Sequence, residues 1–559
     1  MKDSTAKTVG AFGTTSILTY AGLQYFAMQA AGQKNYLDHM RYTFRTFFDP
    51  SAQYFVDSFQ SQFWPLKFFG VDGWLMAAGI GVAAGVAAHG LMSGKDKSEV
   101  KSYQIKQNRN ETYRRGAKML SSAQVAWDLK KSKEPVSPVV LGGVPITENA
   151  MTRHILIAGT TGSGKTVLFQ NFLDAEERTA RGFIIDNGYG LLQRYYSSRR
   201  GDAILNPLDQ RCEDWSPFSE LEGPEDATLI ACSLIPERGE GPGSEWVSYA
   251  QALCSCLLRR LGETGMATNA EFYRLATSAT VEELQPILAG TEAASMLDKG
   301  ADKMFGGARG IMNVQLRGFD QLNPDAGADG FSIRKLVRDG RGWLFLPYLD
   351  SQRKYLKNLL ASWADIAILA AMEKESKDRK FFVLDEFDSL GRIGSVRDDL
   401  LSKGRKYGAV ALIGVQTLSQ IRDRYGKDGA GAIMGNCSTW VAFKTPDVEM
   451  GEEISRRIGE QEIERKVESS SAGKTRGKNR TANEGQSIQN QIVKTRLVMP
   501  EEIRKLANCE GFLMTSEGQV CPIHLDFPAA RAARAEGFTR KSGAVKFEEI
   551  ATETEVGFE

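Results

Sequence analysis

The stretch Gly159–Thr166 reads GTTGSGKT and directly follows the apolar run Ile155–Ala158. It matches the pattern G-x-x-x-x-G-K-[ST], in which a glycine-rich loop between a strand and a helix wraps the phosphates of a nucleotide with backbone N–H groups. A helix over Val167–Glu177 is predicted to follow, so the surroundings are those that the pattern requires. The alternative is a glycine-rich turn that binds nothing, and the strand and helix on either side argue against it.

The residues of this loop have separate predicted roles. Lys165 is expected to reach the β- and γ-phosphates, and the Thr166 hydroxyl is expected to bind Mg²⁺. The glycines let the backbone approach the phosphates without steric conflict. The loop residues predicted to bind the nucleotide are Gly159, Thr160, Thr161, Gly162, Ser163, Gly164, Lys165 and Thr166.

A site that hydrolyses a nucleotide also needs an acidic residue at the end of a second buried strand, where it holds the water shell of the metal. The apolar run Phe381–Leu384 predicts such a strand, and Asp385 and Glu386 follow it. We expect Asp385 at the carboxyl edge of the sheet and Glu386 beside it as the general base that polarises the attacking water. For each carboxylate the alternative is a solvated residue at a strand end. The predicted cofactors are ATP and Mg²⁺, with Thr166 and Asp385 as metal ligands.

Two further polar residues flank the next predicted strand, Ala409–Val415. Gln416 ends this strand, where its amide is placed to sense the γ-phosphate or the attacking water. Arg405 precedes the strand and is a candidate arginine finger, which would stabilise transition-state charge in the site of a neighbouring subunit. The alternatives are a plain strand-ending glutamine and a solvated arginine in a basic turn.

The composition restricts what the rest of the chain does. The chain has 559 residues, 25% of them charged, and a net charge of +1, so it is not a polybasic nucleic-acid binder and any DNA contact must come from local patches. All seven cysteines follow the phosphate loop and none forms a C-x-x-C pair, which argues against a zinc site. Free thiols in a reducing compartment fit this pattern better.

The N-terminal region contains two charge-free segments, residues 8–33 and 73–94. Each exceeds the ~20 residues that a helix needs to cross a bilayer. Basic residues outnumber acidic ones over Lys95–Lys118, which places that side in the cytoplasm. Two spans would therefore leave the N-terminus and the nucleotide site in the cytoplasm and residues 34–72 outside. A cleaved secretory signal over the first segment is the alternative.

The predicted fold class is α/β, with an inserted all-α domain and two N-terminal transmembrane helices. About 200 residues separate Asp186 from Asp385, far more than one strand-helix-strand crossover uses, and their periodicity is helical. A helix is predicted over Glu111–Ala123, and a mobile surface loop over Glu464–Arg496. The predicted domains are a membrane domain at 1–94, a basic linker at 95–138, a nucleotide-binding domain at 139–210 and 331–530, an all-α domain at 211–330, and an interacting C-terminal tail at 531–559.

Taken in order along the chain, these features resemble the type IV coupling proteins of bacterial conjugation and type IV secretion, the TraD/TrwB group. The resemblance covers most of the chain, and the ordered set is more specific than a phosphate loop alone. One departure, Asp186–Tyr189, leaves the role of Asp186 open. The resemblance rests on the two spans and on Leu141–Pro145, Arg153–Thr166, Asn206–Arg211, Leu384–Phe387, Gly414–Gln416 and Met499–Ile503.

The resemblance implies a RecA-like P-loop ATPase in the bacterial inner membrane, assembled as a homo-hexameric ring whose channel passes DNA. It also implies that Arg153 contacts the nucleotide, that Arg405 acts in trans and that Gln416 couples hydrolysis to movement. The implied function is to couple DNA, presented as a relaxosome, to a type IV secretion channel and to pump it through. The implied partners are the relaxase and relaxosome proteins, the subunits of the channel, and DNA held by its phosphates with little sequence preference.

Two alternatives compete with a DNA pump. One is an ATPase that energises assembly or effector export through a secretion system without itself binding DNA. The other is a membrane scaffold with a vestigial nucleotide site.

Overall fold

The computed structural model describes residues 103, 111–237, 243–387, 390–474 and 482–541. Of residues 467–474 and 482–488 it describes the backbone alone. The two predicted membrane spans, residues 8–33 and 73–94, lie outside this part of the chain. Within it, no helix combines the length and the apolar character that crossing a bilayer requires.

A nine-stranded mixed sheet forms the centre of the structure. Nine of the strands in the described residues form this sheet, and the others form a three-stranded sheet (β1, β11, β12) and a two-stranded sheet (β2, β3). In chain order the strands are β1 (Glu111–Gly116), β2 (Val136–Leu141), β3 (Val144–Thr147), β4 (Ile155–Ala158), β5 (Arg181–Asn187), β6 (Ala203–Ile204), β7 (Trp343–Tyr348), β8 (Lys380–Leu384), β9 (Ala409–Val415), β10 (Thr439–Phe443), β11 (Glu460–Lys474), β12 (Ala482–Arg496), β13 (Glu510–Met514) and β14 (Val520–His524). The central sheet has the order β14-β13-β10-β4-β9-β8-β5-β7-β6. The strands from β10 to β6 are parallel, whereas β13 and β14 add to one side as antiparallel strands.

Helices cover both faces of this sheet, as a parallel sheet requires. The helices of the described residues are α1 (Ser122–Ser132), α2 (Glu148–Met151), α3 (Lys165–Glu176), α4 (Gly190–Tyr195), α5 (Asp226–Leu234), α6 (Ser244–Thr264), α7 (Asn269–Thr277), α8 (Val281–Leu288), α9 (Asp302–Gln315), α10 (Ile333–Asp339), α11 (Asp350–Ala371), α12 (Leu401–Lys403), α13 (Leu418–Asn436), α14 (Val448–Ile458) and α15 (Pro500–Arg504).

Alternate residues of each central strand enter two different cores. In β8, Phe382 and Leu384 join the core that contains the helices α5 to α11, whereas Phe381 and Val383 join the core that contains α1, α3 and α4. All five β8 residues are buried, which explains why the sequence shows a continuous apolar run instead of an alternating pattern. The predicted α/β class is confirmed.

Between β6 and β7, the described residues form helices and turns. Trp215 at the start of this segment packs edge-to-face on Trp363 of α11, with ring centroids 5.5 Å apart. Asp365 of α11, which is buried, accepts hydrogen bonds from Ser233 of α5 at 2.6 Å and from Ser395 at 2.7 Å. These contacts join the helical segment to the sheet through α11. The limits of an all-α domain at 211–330 stay a prediction.

The helix predicted over Glu111–Ala123 is wrong. Residues 111–116 form β1, and helix α1 begins only at Ser122 after the cap of Ser121. The cause is tertiary: β1 pairs antiparallel with β11, and Arg115 makes two hydrogen bonds to Glu462 across the ladder. Local propensity is a weak guide where a distant strand supplies the pairing.

The mobile surface loop predicted over Glu464–Arg496 is also wrong. β11 and β12 form a long antiparallel hairpin that pairs from Glu460 opposite Arg496 to Lys474 opposite Ala482. The scarcity of large apolar residues misled the interpretation. The backbone hydrogen bonds between the two strands do not depend on such residues.

Part of the predicted C-terminal tail packs against the nucleotide-binding domain. The side chains of Arg531 and Arg534 pair with Asp174 and Glu177 at the end of α3, at 3.1 Å and 2.9 Å respectively. The backbone N–H of Gln210 donates to the carbonyl of Thr539 at 2.8 Å, and that of Lys541 donates to the carbonyl of Leu208 at 3.0 Å. Residues 531–541 are thus fixed to two neighbouring elements.

Candidate nucleotide-binding site

The phosphate loop connects β4 to α3, and its glycines are required by its shape. Gly162 and Gly164 have φ angles of 74° and 126°, in a region that favours glycine. A Cβ at Gly159 would lie 2.5 Å from the Ser163 hydroxyl oxygen, and a Cβ at Gly164 would lie 3.1 Å from the Cα of Cys509. The loop therefore has little room for a side chain at Gly159 and Gly164, whereas Gly162 is favoured by its φ alone.

Three hydrogen bonds to other strand ends hold the loop from outside. The N–H of Gly159 donates to the carbonyl of Val415 at 3.1 Å, and the N–H of Thr160 donates to the carbonyl of Lys444 at 3.0 Å. The N–H of Cys509 donates to the carbonyl of Ser163 at 2.8 Å, from a backbone with a φ of 62°. No sequence motif predicts this role for Cys509, because the residue acts through its backbone N–H and not through its side chain.

Lys165 and Asp385 are both buried, and the charge of Lys165 acts on the Asp385 carboxylate. The Lys165 ammonium donates to the carbonyl of Gly159 at 2.8 Å and to that of Thr160 at 3.3 Å. Burial raises the pKa of Asp385 to about 7, whereas the charge of Lys165 lowers it and the charges of Glu386 and Asp186 raise it. Both residues follow strands that end at the carboxyl edge of the sheet, and their joint action on one nucleotide stays a prediction.

Thr166 and Asp385 fit the donor set that Mg²⁺ uses beside a nucleotide. The Thr166 residue is exposed at the start of α3, and Asp385 supplies one carboxylate. Mg²⁺ in such sites takes one or two protein oxygens and completes its shell with phosphate oxygens and water. The residues that the structure describes hold no cluster of three or more histidine, cysteine or acidic side chains that would bind a metal on their own.

Glu386 is held between the ends of two neighbouring strands. Its Oε1 accepts a hydrogen bond from the Gln416 amide at 2.8 Å, and its Oε2 accepts one from the Asn187 amide at 2.6 Å. Its backbone has a φ of 53°, which is uncommon for a residue with a side chain and is often found at functional sites. Asn187 at the end of β5 is a site residue to which sequence reasoning gave no role.

Asp186, whose role the sequence left open, caps a helix. Its buried carboxylate accepts a hydrogen bond from the N–H of Leu192 at 2.7 Å and is also bonded by the backbone of Leu191 and Gly190. Burial raises its pKa to about 6, and these backbone bonds act in the opposite direction. Asp186 therefore fixes α4 behind Asn187.

Arg405 and Arg153 lie at the opposite edge of the sheet, the amino edge, where the parallel strands begin. Arg405 lies in the exposed turn before β9, and Arg153 is exposed just before β4. The seven residues of β9 separate Arg405 from Gln416 by about 20 Å. The structure does not bring either arginine to the phosphate loop of its own chain. The contact between Arg153 and a nucleotide stays a prediction, and strand β4 separates this residue from the loop of its own chain.

A phosphate loop after β4, an acidic pair after β8 and an amide after β9, all at the carboxyl edge of one sheet, are the features of a P-loop motor domain. Residues 138–526 match the family described as the type IV secretion-system coupling protein DNA-binding domain. The chain belongs to this family.

Relatives with known names and structures agree with this assignment. The coupling protein TraD of Escherichia coli (strain K12) is 26% identical over 347 residues, which are 60% of this chain and 48% of that protein. The chain thus spans about half the length of this curated relative. An unbound structure of the conjugative coupling protein TrwBdeltaN70 superposes with a TM-score of 0.67 and 28% identity, over 80% of this chain and 100% of that one. A structure of TrwB in complex with ADP and Mg²⁺ has the same TM-score, 27% identity, and covers 78% of this chain and 100% of that one.

Proposed function

We propose that this chain is an inner-membrane ATPase that couples DNA, presented as a relaxosome, to a type IV secretion channel and pumps it during conjugative transfer. The observation that carries the proposal is the arrangement of Lys165, Asp385 and the Gln416–Glu386–Asn187 network at one sheet edge. Membership of the coupling protein family supports the choice of DNA as the substrate.

The nucleotide would be ATP with Mg²⁺, bound by the eight loop residues Gly159–Thr166. A related TrwB structure contains ADP and Mg²⁺, which supports this choice. Thr166 and Asp385 would hold the metal, whose charge supports the phosphates during transfer. Glu386 would orient the attacking water and accept its proton, because its carboxylate is fixed by two amides while it stays partly accessible.

The placement of the arginines suggests that each subunit supplies part of its neighbour's nucleotide site. An arginine at the amino edge cannot serve the loop of its own chain, so Arg405 would stabilise transition-state charge in the site of a neighbouring subunit. We extend this role to Arg153, which lies on the same edge. We call the contact between the phosphate loop of one subunit and the amino edge of the next a seam. A homo-hexameric RecA-like ring would repeat this seam between each pair of adjacent subunits. Gln416 would pass the state of the site to α13, which follows it.

The remaining regions would serve membrane attachment and cargo. Residues 1–94 would cross the inner membrane twice, with 34–72 in the periplasm against subunits of the secretion channel. The all-α domain at 211–330 would face the cytoplasmic entrance and contact the relaxase. DNA would be held through its phosphates, so binding should show little sequence preference and a strong dependence on salt.

The test compares ATP hydrolysis with and without DNA in the full chain, purified in detergent, for the wild type and for the variants Lys165→Ala and Glu386→Gln. We expect DNA to stimulate the wild type. Lys165→Ala should lose nucleotide binding, whereas Glu386→Gln should bind ATP but lose turnover. Both variants should fail in a conjugative transfer assay. A wild type that no single- or double-stranded DNA stimulates would instead favour an ATPase of assembly or effector export.

A further inference from the structure

A buried histidine lies between the two arginines of the amino edge. His154 follows Arg153 in the chain and has 2% of its surface exposed, whereas Arg153 and Arg405 are both exposed. The backbone of this edge is tied down: the carbonyl of Arg153 accepts hydrogen bonds from the N–H of Ser438 at 3.0 Å and from its hydroxyl at 3.3 Å. The residues just before β4 and β10 are thereby joined.

The imidazole of His154 joins this edge to the turn that carries Arg405. Its Nδ1 accepts the N–H of Ala411 at 3.1 Å, and the backbone carbonyls of Leu400 and Leu401 hydrogen-bond the ring. Gly404, directly before Arg405, lies so close that a Cβ there would be 3.6 Å from the His154 Cε1.

The chemistry of the ring matches these partners. Burial lowers the pKa of His154 to about 4, so the ring is neutral at physiological pH and has one acceptor nitrogen and one donor nitrogen. Because Nδ1 accepts from Ala411, the proton that faces the two carbonyls is on Nε2. The φ of His154 is 61°, a conformation that histidine, asparagine and aspartate adopt more readily than most other residues.

We infer that His154 is a positioning residue that fixes Arg153 and Arg405 as one pair directed at the nucleotide of a neighbouring subunit. The two arginines are about 250 residues apart in the chain, and His154 is adjacent to one of them while its ring holds the backbone before the other. An apolar residue of similar volume would fill the space but leave the N–H of Ala411 and two carbonyls unpaired. This inference rests on the proposed function, because it assumes that the arginines act in trans.

The first part of the test uses two variants of the full chain. His154→Gly removes the ring but accepts the positive φ, whereas His154→Asn keeps that φ and offers both a donor and an acceptor. We expect His154→Gly to lower kcat for ATP about tenfold or more and to leave the Kd for ATP unchanged, because the phosphate loop lies at the other edge. His154→Asn should recover part of kcat. A loss of ATP affinity equal to the loss of kcat would overturn the inference.

The second part measures single seams in mixed oligomers. Variants with different tags are co-expressed and co-purified, and ADP trapped with aluminium fluoride is counted, since this transition-state mimic is retained only where an intact loop meets an intact arginine edge. His154→Gly and Lys165→Ala subunits carry defects on opposite edges. Their mixture should trap ADP at about one seam in four, well above the amount that either variant traps alone. A mixture of His154→Gly with Arg405→Ala should trap no more ADP than the two variants trap alone, because both defects lie on the same edge.

A control mixture of Arg405→Ala with Lys165→Ala separates the two possible failures. If this control does not trap ADP, the trans site of the proposed function is wrong and the inference falls with it. If the control traps ADP but the mixture of His154→Gly with Lys165→Ala does not, only the positioning role of His154 is wrong.

Discussion

The two edges of the central sheet differ in how their functional side chains are held. At the carboxyl edge, Lys165 and Asp385 are buried and Glu386 is bonded by two amides. At the amino edge, Arg153 and Arg405 point outward, and it is their backbone that is fixed. Under the proposed function this difference would be a division of work. Groups that serve the nucleotide of their own chain would be preorganised inside the fold, and groups that serve another chain would stay accessible.

The largest effect that would test this comparison is expected from Arg405→Ala. Loss of an arginine finger should lower kcat for ATP by about 10³-fold, while the Kd for ATP stays unchanged because the loop at the other edge is intact. Steady-state hydrolysis and equilibrium binding of a fluorescent ATP analogue measure the two quantities. Lys406→Ala, the next exposed cation, is the matched control and should keep full activity. Equal losses in kcat and affinity would contradict the division between the edges.

The burial of the carboxyl edge should make stability depend on pH. The pKa of Asp385 rises from 3.8 to about 7, so the folded state holds this proton more tightly than the unfolded chain does. The stability that this carboxyl contributes is therefore complete below pH 3.8 and is lost as the pH rises through about 7. The asparagine of Asp385→Asn cannot ionise. The free energy of unfolding of this variant minus that of the wild type should therefore increase by roughly 3 kcal/mol between about pH 4 and pH 8.

Urea unfolding of the nucleotide-free protein at several pH values measures this difference. Asp378→Asn, in the exposed turn before β8, controls for a general effect of removing an acid. A difference between Asp385→Asn and the wild type that does not change with pH would show that Asp385 is not buried as described.

A smaller effect is expected from Asn187, which supports Glu386 without a predicted contact with the nucleotide. Asn187→Ala removes the 2.6 Å hydrogen bond to Glu386 and should lower kcat about tenfold, because one of two fixing amides is lost. Asn187→Asp should be worse, since it places a second negative charge against the same carboxylate. Rates at saturating ATP check the order of the two variants. If Asn187→Asp were as active as the wild type, the orienting role of Asn187 would be wrong.

The smallest effect concerns packing under the site. A Cβ at Gly414 in β9 would lie 3.1 Å from Cζ of Phe169 and 3.3 Å from Oδ1 of Asp385. Gly414→Ala should therefore lower the free energy of unfolding by about 1 to 2 kcal/mol through overpacking. Gly431→Ala, in helix α13 with open space around it, is the control and should be neutral or stabilising. Thermal unfolding measures both, and a stabilised Gly414→Ala would show that this edge is looser than described.

Local sequence predicted the carboxyl edge well and its supports poorly. The loop Gly159–Thr166 and the residues Asp385, Glu386 and Gln416 could be placed because each follows a buried strand directly, and parallel strands end at the same edge. Asn187 and Cys509 could not be assigned a role in this way. Their roles depend on which strands are neighbours in the sheet, and the local sequence does not predict the strand order.

The errors have the same cause. Residues 111–116 form a strand because β11, about 350 residues further along the chain, pairs with them. The sequence near Glu111 does not predict this pairing. The polar hairpin of β11 and β12 is stabilised by its own backbone ladder, which a search for apolar residues overlooks.

The segment 531–541 changes how the end of this polypeptide should be handled. Its arginines neutralise Asp174 and Glu177, two acids at the carboxyl end of the helix that starts at the phosphate loop, where negative charge is unfavourable. A protease cut before Arg531 would remove the two arginines that pair with Glu177 and leave Asp174 its pair with Arg194, whereas a cut after Lys541 would leave all of these pairs in place.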